Sequence, residues 1–219
     1  MIVVIQCAAS KHSDAGHLHR RDGKPVLFVA DPDSVPAPAD NAYFYSRPDD
    51  QSDKGVSWRA ALLEYNKNPE NNPLGLLPAW KLYKNPTYSR LVDKVGVENT
   101  FILSAGWGLI SAEFLTPNYD ITFSPSADTY KRRRKKDQYD DLRMLPANTT
   151  EPVLFFGGKD YVPLFCSLTE HVKGQRVLFY NSANAPAAPG CTLKRFSTTT
   201  RTNWHYECAN AFIKREVGI

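Results

Sequence analysis

Ile2-Val-Val-Ile-Gln6 runs straight into Cys7-Ala-Ala-Ser-Lys11, a short apolar run followed by small and polar residues. An unalternating run of this kind suits a central strand that helices cover on both faces. The same arrangement returns further along the chain. Thr100–Ser104 leads into Ser104-Ala-Gly-Trp-Gly-Leu109, Val153–Phe156 into Gly157-Gly-Lys-Asp-Tyr161, and Val177–Tyr180 into Asn181-Ser-Ala-Asn-Ala-Pro186. Val26–Val29 is a fifth strand candidate. Helical spacing fills the gaps: Val56–Lys67 with Trp58, Ala61, Leu62 and Tyr65 on one face, Leu76–Tyr83, Pro86–Val95, Tyr161–His171 and Arg201–Lys214. Proline at Pro86 suits a first helical turn, and Thr202 or Asn203 is a fitting cap for the last helix. Strands alternating with helices imply a three-layer α/β/α sandwich around a mostly parallel sheet. In such a sheet a ligand sits beyond the carboxyl ends of the strands, so the segments after the strands are the candidate site.

The chain has 219 residues and is read as one domain, 1–219, with an inserted excursion at about 31–72. The turn formers and acids of Asp31–Asp40 and Ser46–Asp53 mark a surface segment. Tyr43-Phe-Tyr45 anchors it, so an ordered course is expected. With 42% hydrophobic and 23% charged residues the composition is that of a folded globular protein. The apolar N-terminus has no basic flank and is too short to span a membrane, so a cytoplasmic protein is expected. Cys7, Cys166, Cys191 and Cys208 form no C-x-x-C pair, and the histidines form no H-E-x-x-H pattern. Reduced structural thiols and no metal are therefore expected.

The net charge of +4 is concentrated in Lys131-Arg-Arg-Arg-Lys-Lys136, which leaves the rest of the chain slightly acidic. Such a cluster is a handle for a polyanion or, alternatively, a solvated face. Gly157-Gly158 lacks the G-x-x-x-x-G-K-[ST] pattern of a Walker A loop, which argues against nucleoside triphosphate hydrolysis. Trp107, between two glycines, reads either as a stacking platform for a base or as a lid on the core. Asp120 follows Pro117-Asn-Tyr119 and is the first candidate carboxylate, with Asp160 in reserve.

Taken together the segments resemble a family. Phe101-Ile-Leu-Ser-Ala-Gly-Trp-Gly-Leu-Ile110 followed by Leu115-Thr-Pro-Asn-Tyr-Asp120 is similar to a signature of small bacterial and phage proteins related to the YaaA-like peroxide-stress proteins. Cys7-Ala-Ala-Ser-Lys11, Pro78-Ala-Trp-Lys-Leu-Tyr83 and Gly157-Gly158 with Tyr161 resemble further segments of it, over residues 1–11 and 76–170. Asn118 departs from the usual P-Y-D junction, and the stretch 12–72 is longer than expected.

The resemblance implies a uracil-DNA-glycosylase-like fold. It also implies a DNA glycosylase of the antiphage kind that removes α-glucosylated hydroxymethylcytosine. Its partner is then double-stranded DNA, probed by base flipping, with no membrane and no obligate protein partner. Asp120 or Asp160 would stabilise an oxocarbenium-like sugar and orient water. Cys7, Ser10, Lys11, Ser104, Trp107, Tyr119, Gly157, Gly158, Tyr161 and Asn181 would line the base and substrate pocket, with Asn184 a second reader of the base edge. Lys131, Arg132, Arg133, Arg134, Lys135 and Lys136 would hold the DNA backbone. Tyr43, Tyr45, Asn66, Asn68, Asn71 and Asn72 would widen the pocket for a base carrying a sugar. This chemistry requires no metal or organic cofactor. The rival readings are a non-catalytic DNA-binding stress protein and an N-ribohydrolase acting on free nucleosides or nucleotides.

Overall fold

The computed structural model describes residues 1–36 and 42–218. Twelve strands are present among them: β1 Ile2–Gln6, β2 Val26–Val29, β3 Phe44–Ser46, β4 Leu77–Pro78, β5 Thr100–Ser104, β6 Gly108–Ser111, β7 Leu115–Thr116, β8 Tyr119–Asp120, β9 Leu142–Arg143, β10 Val153–Phe156, β11 Arg176–Tyr180 and β12 Cys191–Arg195. The α-helices are α1 Trp58–Tyr65, α2 Ala79–Leu82, α3 Thr87–Val95, α4 Val162–Leu168 and α5 Trp204–Ile213. None is long and apolar enough to cross a membrane.

The central sheet has seven strands in the order β12-β11-β10-β1-β5-β6-β9. Its pairings are parallel except β5–β6, where Ser104 faces Gly108. Val153-Leu-Phe-Phe156 shows how the layers form, because successive strand side chains point to opposite faces. Phe155 stacks on Phe165 of α4 with ring centres 4.5 Å apart. Phe156 meets Phe212 of α5 at 5.6 Å. Helices therefore cover both faces, and each fully buried phenylalanine contributes on the order of 2 kcal/mol of apolar burial. Every residue of β10 is buried, as the unalternating run predicts.

Local chemistry sets the helix ends. The Ser57 hydroxyl accepts from the Ala60 amide at 3.1 Å and starts α1. Pro86 stands at the cap of α3 rather than inside it, with the Asn85 carbonyl oxygen of the side chain taking the Thr87 amide at 2.9 Å. Gly96, at φ +90°, ends that helix.

Two expectations are corrected. Val26–Val29 is not in the central sheet; β2 pairs in parallel with β3 and β8 in a sheet of its own. Tyr119–Asp120, expected in a loop, is the strand β8 of that small sheet. The excursion at 31–72 contributes β3 and α1, and residues 37–41 within it lie outside the described residues.

Candidate functional site

The order of the parallel strands dictates where a crevice opens. From β1 the chain crosses to β5 on one side, then returns to β10 on the other, so the direction of winding reverses between β1 and β10. Loops leaving the carboxyl ends on either side of such a switch point diverge and leave space between them. A cleft of about 780 Å³ lies there. Its walls are Gln6 to Ser10 after β1, Gly157 to Val162 after β10, Phe179 to Ser182 at the end of β11, and Arg201 to Tyr206 at the start of α5. Thr122 and Ser124 close one side.

The floor is built by short polar contacts. The Gln6 side-chain oxygen accepts from the Gly158 amide at 2.6 Å, tying the two strand ends together. A Cβ on Gly157 would lie 2.2 Å from the ring of Phe155, which is itself stacked on Phe165, so this position has no room for a side chain. The buried Cys7 sulfur lies 3.2 Å from the Tyr161 hydroxyl. Burial pushes the Tyr161 hydroxyl well above the usual phenol range, with Cys7 adding to the effect.

Charge is distributed unevenly around the opening. Lys159 and Arg201 are exposed at the rim, and Asp160 is the sole carboxylate among the described residues of the lining. His205 is 3% exposed, and its Nε2 has no hydrogen-bond partner among the described residues. Burial brings its imidazole down to about 4, so the ring is neutral near pH 7. Tyr206 passes its hydroxyl to Tyr88 at 3.2 Å, and Tyr88 donates to the Gln6 carbonyl at 2.8 Å.

Of the residues expected to meet in one pocket, Cys7, Ser10, Gly157, Gly158, Asp160, Tyr161 and Asn181 line the cleft. The Gly158 amide is already engaged by Gln6 and is no phosphate donor. Asn184 is exposed and outside the lining. Lys11, Ser104, Trp107, Tyr119 and Asp120 are also outside it.

Each of these has another partner. Trp107 is fully buried, packs edge-on against Phe28 at 5.0 Å, and has no free face for a base. Tyr119 is buried, and its hydroxyl joins Tyr83 at 2.8 Å and Ser104 at 2.9 Å. Lys11 lies with Nζ 4.2 Å from the centre of the Tyr119 ring. Burial lowers its ammonium below the usual lysine range, against the opposing pull of Cys7 and Asp120. Asp120 forms an ion pair with Lys131 at 3.0 Å. Asp160 is thus the candidate carboxylate that reaches the cleft, and Asp120 is not.

The basic run divides in the same way. Arg133 is buried and holds Asp141 through two bonds of 2.8 and 2.6 Å while donating to the Ala105 carbonyl at 2.9 Å. Lys131 bridges Asp120 and Asp128, and Arg134 lies 3.8 Å from Asp31. Arg132, Lys135 and Lys136 are exposed, with no ion pair to a described carboxylate. The run borders the cleft through its backbone: the Thr122 amide donates to the Lys131 carbonyl and the Arg133 amide to the Thr122 carbonyl, both at 2.9 Å.

The asparagines assigned to a wider pocket are used locally. Asn66 bonds both the amide and the carbonyl of Leu115, and Asn72 bonds Tyr65 and Leu76. Asn68 and Asn71 are exposed, and neither they nor Tyr43 and Tyr45 belong to the lining. Sequence reasoning missed Gln6, Arg201, His205 and Tyr206. The signal was available, since a helix that follows a parallel strand begins at the carboxyl edge, beside the site.

These features define an open-sheet α/β protein with a cation-rimmed cleft at its switch point. No protein-family model, curated protein or solved structure matches this chain.

Proposed function

We propose that the chain is a DNA N-glycosylase of the uracil-DNA-glycosylase-like kind, removing a modified base from phage DNA to leave an abasic site. The observation that carries this reading is the cleft's charge pattern: one carboxylate, Asp160, and the two cations Lys159 and Arg201, all three exposed in its lining. A flipped nucleotide brings a phosphate and a sugar to the site. Lys159 and Arg201 suit the phosphate, and Arg132, Lys135 and Lys136 suit phosphates of the flanking duplex. Cleavage of the N-glycosidic bond builds positive charge on the sugar, as in glycoside hydrolysis. A carboxylate about 4 Å away stabilises that charge by about 4 kcal/mol at an effective dielectric near 20. Asp160 has that role and orients the attacking water. Asn181 reads the edge of the base.

The substrate class follows from the resemblance of the strand-end motifs to the YaaA-related proteins, and is α-glucosylated hydroxymethylcytosine. Incubation with glucosylated, hydroxymethylated and unmodified phage DNAs tests it, followed by alkaline cleavage and mass analysis of released bases. Abasic sites in the glucosylated DNA alone are expected. Absence of abasic sites from all the DNAs would overturn the reading in favour of DNA binding without catalysis.

One observation favours a second reading, an N-ribohydrolase on free nucleosides or nucleotides. Lys131, Arg133 and Arg134 are engaged by Asp120, Asp128, Asp141 and Asp31, which reduces the charge available to DNA. Turnover of a small nucleoside that is indifferent to replacement of Arg132, Lys135 and Lys136 by glutamine would support it.

A further inference from the structure

Cys166 on α4 and Cys191 at the start of β12 face each other at the amino edge of the sheet, the edge opposite the cleft. Their sulfurs are 3.9 Å apart. One side chain holds both segments. Arg176 donates to the Cys166 carbonyl at 3.3 Å and to the Pro189 carbonyl, just before Cys191, at 3.1 Å. Gly190 leaves room for it, since a Cβ there would lie 2.2 Å from the Arg176 Nη2. A groove of about 580 Å³, lined by Cys166, Ser167, Glu170, Arg176 and Pro189, reaches Cys166, and Cys191 is itself partly exposed.

We propose that Cys166 and Cys191 are an oxidisable dithiol whose substrate class is the low-molecular-weight disulfides, glutathione disulfide being the representative. The two thiols have unequal roles. The hydrogen bond between them, with burial, pushes the Cys166 thiol up, while the same bond and the nearby Arg176 bring the Cys191 thiol down to about 7. Cys191 is also the more exposed of the two sulfur-bearing residues, and it is the attacking thiolate. It displaces one glutathione thiolate and becomes a mixed disulfide. Cys166 then attacks the Cys191 sulfur, its proton passing to the departing second glutathione. Two protein thiols are oxidised and one glutathione disulfide is reduced to two glutathione molecules. The product links α4, which begins directly after the Gly157–Tyr161 loop, to the edge strand β12.

The test is incubation of the whole folded chain with glutathione disulfide, then peptide mapping without reduction. The expected result is a linked peptide joining Cys166 to Cys191, lighter by two hydrogens, with Cys7 and Cys208 still free. A rise in thermal midpoint of several degrees, reversed by dithiothreitol, is expected with it. Cys166→Ser should stop at glutathione on Cys191, and Cys191→Ser should leave Cys166 unmodified. A stable mixed disulfide on Cys191 of the unaltered chain, a different linked pair, or four unreacted thiols would each overturn the proposal. Should either variant fail to fold, the map of the unaltered chain decides alone.

Discussion

The loops after β5 and after β10 begin with the same kind of residue and come to opposite ends. Ala105-Gly-Trp107 and Gly157-Gly-Lys159 both follow a fully buried strand. The first turns back at once into the antiparallel β6, and its three carbonyls are all taken by buried arginines. Arg133 binds that of Ala105, and Arg59 binds those of Gly106 and Trp107 at 3.0 Å each. Each arginine has its own acid, Asp141 for Arg133 and Asp49 for Arg59. In the second loop no side chain of the described residues donates to a carbonyl: the Gln6 oxygen accepts from the Gly158 amide, and the chain then enters α4 beside the cleft. Small residues after a strand permit a ligand site. What closes one is the supply of internal donors to its carbonyls.

Replacing Arg59 or Arg133 by methionine tests this contrast with the largest effect. Each leaves a half-buried aspartate and at least one loop carbonyl unpaired, and a loss of about 3–5 kcal/mol is expected in urea unfolding. Lys136→Met, from the same basic run, should change stability by less than about 0.5 kcal/mol. Equal losses for Arg133 and Lys136 would break the distinction between bracing and solvated charge.

His205 gives a pH signature to the open side. Its folded pKa of about 4 lies below the ordinary value of 6.5, so between these the unfolded chain binds the proton and the folded chain does not. Stability is therefore undiminished above about pH 6.5 and falls as pH drops towards 4, by about 3 kcal/mol from this residue. Urea titrations across that window should show the slope, and His205→Phe should flatten it. An unchanged slope would mean that the imidazole is not held neutral.

Gly157→Ala should cost about 1–3 kcal/mol, because the added carbon meets a ring that cannot retreat from Phe165. Gly158→Ala, whose nearest neighbour is the Gln6 side-chain oxygen at 3.4 Å, should be milder. Thermal midpoints of the two variants check the order. Smallest for stability is the triple replacement of Arg132, Lys135 and Lys136 by glutamine, expected within about 0.5 kcal/mol of the parent. The same variant should lower the salt dependence of DNA affinity, measured by fluorescence anisotropy, since fewer counterions are released.

Much of the central sheet was legible because its strands are unalternating apolar runs, a pattern set by burial on both faces. β6, β9 and β12 were not, since β9 is two residues long and β12 is a half-exposed edge whose Cys-Thr-Leu-Lys-Arg has no continuous apolar run. The three cleft walls that follow β1, β10 and β11 were legible from the rule that ligands gather at carboxyl ends. Asp120 misled because it follows the loop after a strand, a position expected to face the ligand crevice, whereas pairing of β8 with β2 commits it to a strand and to Lys131. The basic run misled for a related reason: six adjacent charges read as one patch, yet which of them find acids depends on where the fold brings Asp31, Asp120 and Asp141. Long-range pairing carries no local signature.

The most direct measurement compares Asp160→Asn with Asp120→Asn in abasic-site formation on glucosylated phage DNA. Loss of the cleft carboxylate should slow base release about a thousandfold, the effect of about 4 kcal/mol of electrostatic stabilisation. The Asp120 variant, missing only a half-exposed ion pair, should stay within a few-fold of the parent. Full activity without the Asp160 carboxylate, or collapse of activity without that of Asp120, would move the chemistry out of the cleft and contradict the account.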